Sequence, residues 1–367
     1  MTAVFFISGH GFGHASREVE IINALGARVP DLRIIIRSAV SASLLDRTLK
    51  VSYELRPGPC DTGIIQATSV AHDDEATIRE AIDFYSSFDA RVDAETHALE
   101  NDDVKVIVGD IPPLAFEVAA RLDVPSVAIA NFTWDWIYET HPGLQDAAPW
   151  LVDRLRRAYH GATVALELPF ASGMDVFADR RPIPLVARQA TRSRPDTRAR
   201  FGVEQEARAA LLSFGGYGMP GLDLSTVDCA RWTLVVTDRV TTLHGRAPGY
   251  VRPIDEQEFI GGGFRYEDLV AAVDVVVTKP GYGIIAECIA NSTAMLYTSR
   301  GIFREYDQLV REMPRYLRCR FINHADLFAG RWRASLDALL AQPPPPETMA
   351  GNGAQVAAGV IRRVMGQ

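Results

Sequence analysis

Two histidines stand among glycines in SGHGFGHASRE, residues 8–18, directly after the apolar run VFFI at 4–7. Imidazole takes up a proton near neutral pH, so a histidine at the mouth of a site can act as a general base. His14 is the candidate base, whereas His10 could simply hydrogen-bond the turn. Gly9, Gly11 and Gly13 permit positive φ and close approach of a ligand to the backbone. Such a base works better with a carboxylate on its other nitrogen. Asp110, which ends the run VKVIVGD at 104–110, could supply it. An equally good role for Asp110 is to cap the helix opened by GDIPPLAF.

A second cluster lies in TKPGYGIIAE, residues 278–287. Lys279 ends a strand-like run, and Gly281, Tyr282 and Gly283 follow at the predicted start of a helix. Backbone N–H groups there attract phosphate, helped by the helix dipole, and Lys279 adds a full positive charge. Glu287 could accept hydrogen bonds from a ribose diol, or be an exposed helix residue. Upstream, SFGGYG at 213–218 is another glycine turn, whose Gly215 and Gly216 could contact the same diphosphate.

These residues need platforms to hold them. VFFI, LRIIIR at 32–37, VKVIVGD and SVAIA at 126–130 read as buried strands, separated by helical patterns such as Val19, Ile22, Leu25 and Val29. The series restarts with ALLSFGG at 210–216, TLVVTD at 233–238, DVVVTK at 274–279 and AMLYTS at 294–299. Short apolar strands alternating with helices imply parallel sheets covered on both faces. The predicted organisation is an N-terminal domain over 1–178, a Pro- and Arg-rich linker over 179–202 and a C-terminal domain over 203–345. After QPPPPE, a helical segment within 346–367 packs back on the N-terminal domain. Doubly wound domains bind ligands outside the carboxyl ends of their strands, which here predicts a cleft between the two.

Composition removes several alternatives. With a net charge of −8 the chain lacks the basic footprint of general nucleic-acid binding. No apolar run approaches the roughly 18 residues of a membrane span, and no basic segment with a long apolar run opens the sequence, which points to the cytoplasm. Cys60, Cys229, Cys288 and Cys319 are too scattered for a disulfide framework. A dinucleotide fingerprint fails because Ser16 replaces its third glycine and no acidic residue ends the second strand. A P-loop fails for want of Gly-Lys-Ser/Thr. There is no D-x-D sequence, and His72 with Asp73 and Asp74 is too weak a cluster for a metal, so neither metal nor cofactor is expected. In NFTWDWIYE at 131–139, Phe132 and Trp134 could face an acceptor, or the aromatics could form a buried patch.

The segment 279–308 resembles the donor-binding region of GT-B glycosyltransferases, the superfamily of UDP-sugar transferases and MurG-like enzymes. Their run His-x-Gly-Trp-Asn-Ser-x-x-Glu has Lys279 in place of histidine, Gly281 at the glycine, Tyr282 for tryptophan, Gly283 and Ile284 for Asn-Ser, and Glu287 at the ribose-binding glutamate. Asp307-Gln308 is similar to the acidic-Gln pair that contacts the donor sugar, arriving about four residues late by alignment with that motif. GFGHASR resembles the superfamily's Gly-x-Gly-His turn, with His14 at the base and Asp110 at its supporting aspartate. In layout the chain is closer still to the glycosyltransferase-like N-terminal region of L-arabinokinases and bacterial stand-alone relatives. No sugar-kinase domain follows, so kinase activity is not implied.

The resemblance implies an α/β GT-B fold of two Rossmann-like domains facing a cleft. It implies a metal-independent, inverting transfer from a nucleotide-diphosphate sugar, UDP or dTDP, to a small-molecule or glycan acceptor. Gly11, Gly13, Phe132 and Trp134 would lie on the acceptor side. A sugar-nucleotide sensor without turnover, or an epimerase or hydrolase on the same fold, are the alternatives.

Overall fold

The computed structural model describes residues 1–68, 71–215, 219–229, 231–237, 248–255, 261–301 and 303–366. They divide into two compact units. The first comprises Met1–Ile65, Asp73–Ala187 and Ala350–Gln367; the second comprises Gln66–His72 and Arg188–Met349.

In the first unit, β1 (Thr2–Ile7), β2 (Arg33–Ser38) and β3 (Glu54–Pro57) form half of a parallel sheet. β6 (Val104–Asp110), β7 (Ser126–Ala130), β8 (Val164–Glu167) and β9 (Arg180–Pro182) form the other half, in the order β3-β2-β1-β6-β7-β8-β9. The intervening β4 (Gln66–Thr68) and β5 (Ala71–His72) make a small antiparallel pair that belongs to the second unit. All six residues of β1 are buried, as a strand covered on both faces requires. Because side chains alternate, Ala3, Phe5 and Ile7 share one core with Ile34, Ile36, Val106, Val108 and Ile129. Two helices cover that face. Phe12–Gly26 contributes Ala15, Val19, Ile22 and Leu25, and Gly353–Val364 contributes Ala354, Ala357, Ala358 and Ile361. Both stripes follow helical spacing. The small residues Ala357 and Ala358 are fully buried, and Arg28 reaches across to the carbonyl of Gln355.

The Pro- and Arg-rich stretch after residue 178 is not an open tether. Its first residues form β9, the edge strand, and Leu185 exchanges backbone hydrogen bonds with Ala350 and Gly353. β3, β9 and β12 all lie at sheet edges and each contains a proline, which sits easily where no further strand demands its missing N–H.

The second unit holds β10 (Arg208–Ser213), β11 (Trp232–Thr237), β12 (Val251–Ile254), β13 (Val275–Thr278), β14 (Ala294–Tyr297) and β15 (Cys319–Phe321). They form a parallel sheet in the order β12-β11-β10-β13-β14-β15. Leu212, Leu234, Val236, Val275, Val277 and Leu296 pack on one face against Trp332, Leu336 and Leu339 of the segment carrying the helix Arg333–Leu340. In each sheet the chain runs outward one way from its first strand, then returns to that strand's other side. That reversal falls between β1 and β6 in the first unit, and between β10 and β13 in the second. Loops diverge there, leaving room for a ligand at the strands' carboxyl ends. Among the described residues no helix is long and apolar enough to cross a membrane.

Candidate functional site

His14 and Asp110 flank the reversal point of the first unit. Ile7 and Asp110 are partners in the β1–β6 register, and the Ser8 N–H donates to the Asp110 carbonyl at 2.8 Å. After Ser8 the chain must turn sharply into the helix Phe12–Gly26. Gly11 takes the N-cap position with φ of +84°, a region side chains disfavour. The third helical residue is His14, whose Nδ1 lies 2.8 Å from Asp110 Oδ1. Arg17, one turn on, donates Nε to Asp110 Oδ2 and Nη2 to Oδ1, and Nη1 to Asn131 Oδ1 at the end of β7. Asn131 is held in turn by the Pro169 carbonyl, which accepts from its Nδ2 at 2.7 Å.

Asp110 is fully buried. Burial alone would raise its pKa, but the charges of Arg17 and His14, with their hydrogen bonds, outweigh that and hold it below the ordinary carboxylate value. An ionised carboxylate only accepts, so His14 turns Nδ1–H toward it, with Arg17 Nη2 3.1 Å from the same nitrogen, and the neutral form of the ring then has its lone pair on Nε2. That is the tautomer a general base needs. The helix Leu114–Arg121 has Pro113 at its N-cap and no side-chain cap. The capping role open to Asp110 is therefore not the one it takes. Directly behind the cluster, Glu18 is fully buried on the same helix, its carboxyl set against that of Asp110 with no N–H donor on either oxygen. Burial, then the nearby Asp110 charge, pushes its pKa well above the ordinary value.

His10 has a different setting. Its ring meets Trp134 edge-on at 5.4 Å and lies over Gly63, where a Cβ would collide with it. The acceptor-side expectation for Trp134 needs correction. Trp134 is fully buried between Phe132 and Tyr138, and its indole N–H donates to Asp61 Oδ2 at 2.7 Å. Phe132 is buried too, edge-on to His14. Neither ring offers an open face, because together they form the floor beneath the histidine turn. Burial raises the Asp61 pKa to about 6 against the hydrogen bonds from Trp134 and Ser8. Gly13 lies in the first turn of the His14 helix.

In the second unit, Ser213 and Thr278 end the strands that flank the reversal point, and the Thr278 hydroxyl donates to the Ser213 carbonyl. Lys279 follows, and its Nζ donates to Gln66 Oε1 at 2.8 Å. Gly281 is the N-cap of the helix Tyr282–Ala290, which has no side-chain cap and places Gly283 in its first turn. The backbone of Gly281 is extended, and a Cβ there would meet nothing within 4 Å. Neither conformation nor packing demands a glycine, which leaves the turn bare to an approaching group. Gly215, at φ of +74°, is equally open, while Gly216 lies outside the described residues.

Glu287, expected to meet a ribose diol or to be an exposed helix residue, is not exposed. It is buried, and its Oε1 accepts from Arg188 Nε at 2.7 Å and from Arg188 Nη2. Asp307 and Gln308 lie in the helix Tyr306–Glu312. Gln308 accepts from Arg311, and among the described residues no hydrogen bond ties either to the 279–283 turn. Sequence reasoning missed Arg17, Asn131, Gln66 and Arg188. Only Arg17 left a usable signal, since it stands three residues after His14 and so on the same helical face. Among the described residues no group of three or more His, Cys, Asp or Glu side chains is placed to hold a metal ion.

Two doubly wound parallel sheets, each opening at its reversal point, give this chain the GT-B glycosyltransferase fold. Solved structures with that fold match it along nearly its whole length. The kitacinnamycin glycosyltransferase superposes with a TM-score of 0.65 at 19% identity, covering 99% of both chains. The glycosyltransferase VinC, solved with dTDP, gives 0.58 at 14% identity over 100% of this chain and 95% of its own. By sequence the chain is similar to the L-arabinokinase of Arabidopsis thaliana, 25% identical over 364 residues. The match takes in 98% of this chain but only 34% of that protein, so the chain spans about a third of its relative's length. No protein-family model matches.

Proposed function

We propose that this protein is an inverting, metal-independent glycosyltransferase. It moves a sugar from a nucleotide-diphosphate sugar, of the UDP or dTDP class, to a hydroxyl or amine of a small molecule or glycan. The observation that carries this reading is the 2.8 Å pairing of His14 Nδ1 with buried, ionised Asp110. It supplies an oriented base beside a glycine turn, and a pure binding module would have no use for one.

In the reaction, His14 Nε2 takes the proton of the acceptor as the acceptor atom attacks the anomeric carbon. The new bond forms there while the bond from that carbon to the diphosphate oxygen breaks. Its electron pair leaves with the nucleotide diphosphate, and a single displacement inverts the carbon. Asp110 stabilises the imidazolium, with Arg17 fixing the carboxylate. Gly11 and Gly13 keep the backbone beside His14 low for the acceptor. Lys279 and the N–H groups of Gly281, Tyr282 and Gly283 meet the charge developing on the leaving group, with Gly215 on the neighbouring turn. These fixed charges and dipoles serve in a metal's stead, and the lack of a D-x-D sequence accords with that. The dTDP in the VinC structure supports the nucleotide class.

A sugar-nucleotide sensor is the second reading, favoured by the engagement of Glu287 with Arg188. The test is to incubate the purified protein with a panel of nucleotide sugars, with and without cell extract, and measure released nucleotide diphosphate. Release is expected, and is expected to vanish in His14→Ala. Release undiminished by that substitution would overturn the base, and binding without turnover would favour the sensor.

A further inference from the structure

Lys279 is a poorly solvated amine without a counter-ion among the described residues. Its Nζ bonds the neutral amide of Gln66, and among the described residues it has no carboxylate partner. A second basic group lies against the same turn. Arg300 Nη1 is 3.1 Å from Glu305 Oε1 and 3.5 Å from the carbonyl of Pro280, the residue joining Lys279 to Gly281. The guanidinium sits 3.5 Å over the Phe303 ring, whose edge contact is His72. Buried polar atoms without hydrogen-bond partners gather here: Arg300 Nε, Thr298 Oγ1 and Glu305 Oε2. Thr298 is fully buried and Glu305 nearly so. Among the described residues two basic groups share one carboxylate here, so a fully charged Lys279 would stand uncompensated in a poorly hydrated place, which is costly unless an anion completes it.

We infer that Lys279 and Arg300 form a paired anion site for the donor's diphosphate, and that Lys279 takes up a proton from solvent as that anion binds. This rests on the nucleotide-sugar reading and adds Arg300 and the proton to it. No covalent bond changes; one amine becomes one ammonium. Burial, then repulsion from Arg300, brings the empty-site pKa of Lys279 down to about 7. A lowered pKa means a part-neutral amine at pH 7.5, and the arriving diphosphate raises it again. Donor affinity therefore falls as pH rises above 7, by up to about tenfold per unit. The groups facing Lys279 are Gln66 on β4 and Arg300 after β14. Glu305 and Tyr282 bear on Arg300, and His72 of β5 lies beyond Phe303.

The chain has only three lysines, Lys50, Lys105 and Lys279, so an amine reagent followed by peptide mass spectrometry resolves each one. Across pH 5–11, Lys279 is expected to label with a midpoint near neutrality, moving upward in Arg300→Gln. A midpoint in the ordinary lysine range, about 10, overturns the inference whatever ligand the protein binds. Calorimetry with UDP-glucose and dTDP-glucose at pH 7.5, in buffers of different ionisation enthalpy, is expected to show net proton uptake. Lys279→Arg should bind without that uptake, because arginine stays charged. Binding by the wild type with no uptake sinks the proton coupling and leaves the nucleotide-sugar reading standing. Failure of both nucleotide sugars to bind, beside a neutral Lys279 midpoint, counts against that reading and against the diphosphate as occupant.

Discussion

Arg17 grips Asp110 through two nitrogens, one to each carboxylate oxygen, so the aspartate that meets His14 is already inside an ion pair. That sets how the pair responds to substitution. Removing Arg17 leaves the buried Asp110 carboxylate with His14 as its remaining donor and the buried Glu18 carboxyl beside it. Arg17→Ala is expected to lower stability by about 3–5 kcal/mol, the usual cost of breaking a buried pair from one side. Arg17→Lys should recover little, because a single ammonium cannot span both oxygens and reach Asn131 as well. Chemical denaturation of the three proteins checks this. Equal midpoints would mean the pair contributes nothing.

Asp110→Asn keeps the shape and removes the charge. The amide can present either a donor or an acceptor to Nδ1, so the imidazole loses its fixed tautomer. Sugar transfer is expected to fall by about 10²–10⁴-fold, the range for loss of oriented acid–base catalysis. Nucleotide binding should be unchanged. Parallel measurements of kcat and of nucleotide affinity separate the two.

Glu18 gives a prediction with a definite sign. Its folded pKa lies above the ordinary 4.5, so its contribution to stability is fully present below that value and is lost as pH rises toward the folded pKa. Glu18→Gln cannot ionise and escapes this loss. The melting temperature of the variant minus that of the wild type is expected to grow between pH 4.5 and pH 8. A constant difference across that window would contradict it.

Much of the first site was legible because its chemistry sits at strand ends. β1 and β6 both end in buried apolar runs, so Ile7 and Asp110 had to finish near each other. The helix after β1 then fixed where His14 points. Trp134 was harder, since alternation of aromatic and polar residues in NFTWDWIYE does not say which ring is covered. Its partner Asp61 lies 73 residues away in the chain. Glu287 defeated pattern reading for a related reason. Ile285, Ala286, Glu287 and Cys288 are all buried, so that helix has no clean polar face to reveal an acid turned inward toward Arg188. The contact between Lys279 and Gln66 spans 213 residues and leaves no local trace.

Gly353 begins the second helix on the His14 side of the sheet, and a Cβ there would run into the Pro184 carbonyl and the Leu185 backbone. Gly353→Val is expected to cost about 1–3 kcal/mol, as overpacking commonly does. Thermal unfolding monitors this, and a melting temperature equal to wild type would show that the 183–187 segment yields freely.

The docking of residues 353–364 against residues 12–26 ties the base to the order of synthesis. The helix bearing His14 is synthesised before the second unit, but the alanine-lined surface that covers its flank is made only after it. Until then Val19, Ile22 and Leu25 have part of their shelter missing, and the first unit cannot close in the usual N-terminal-first manner. A nascent chain halted before residue 353 therefore carries every residue of the His14 cluster yet lacks the cover that steadies it.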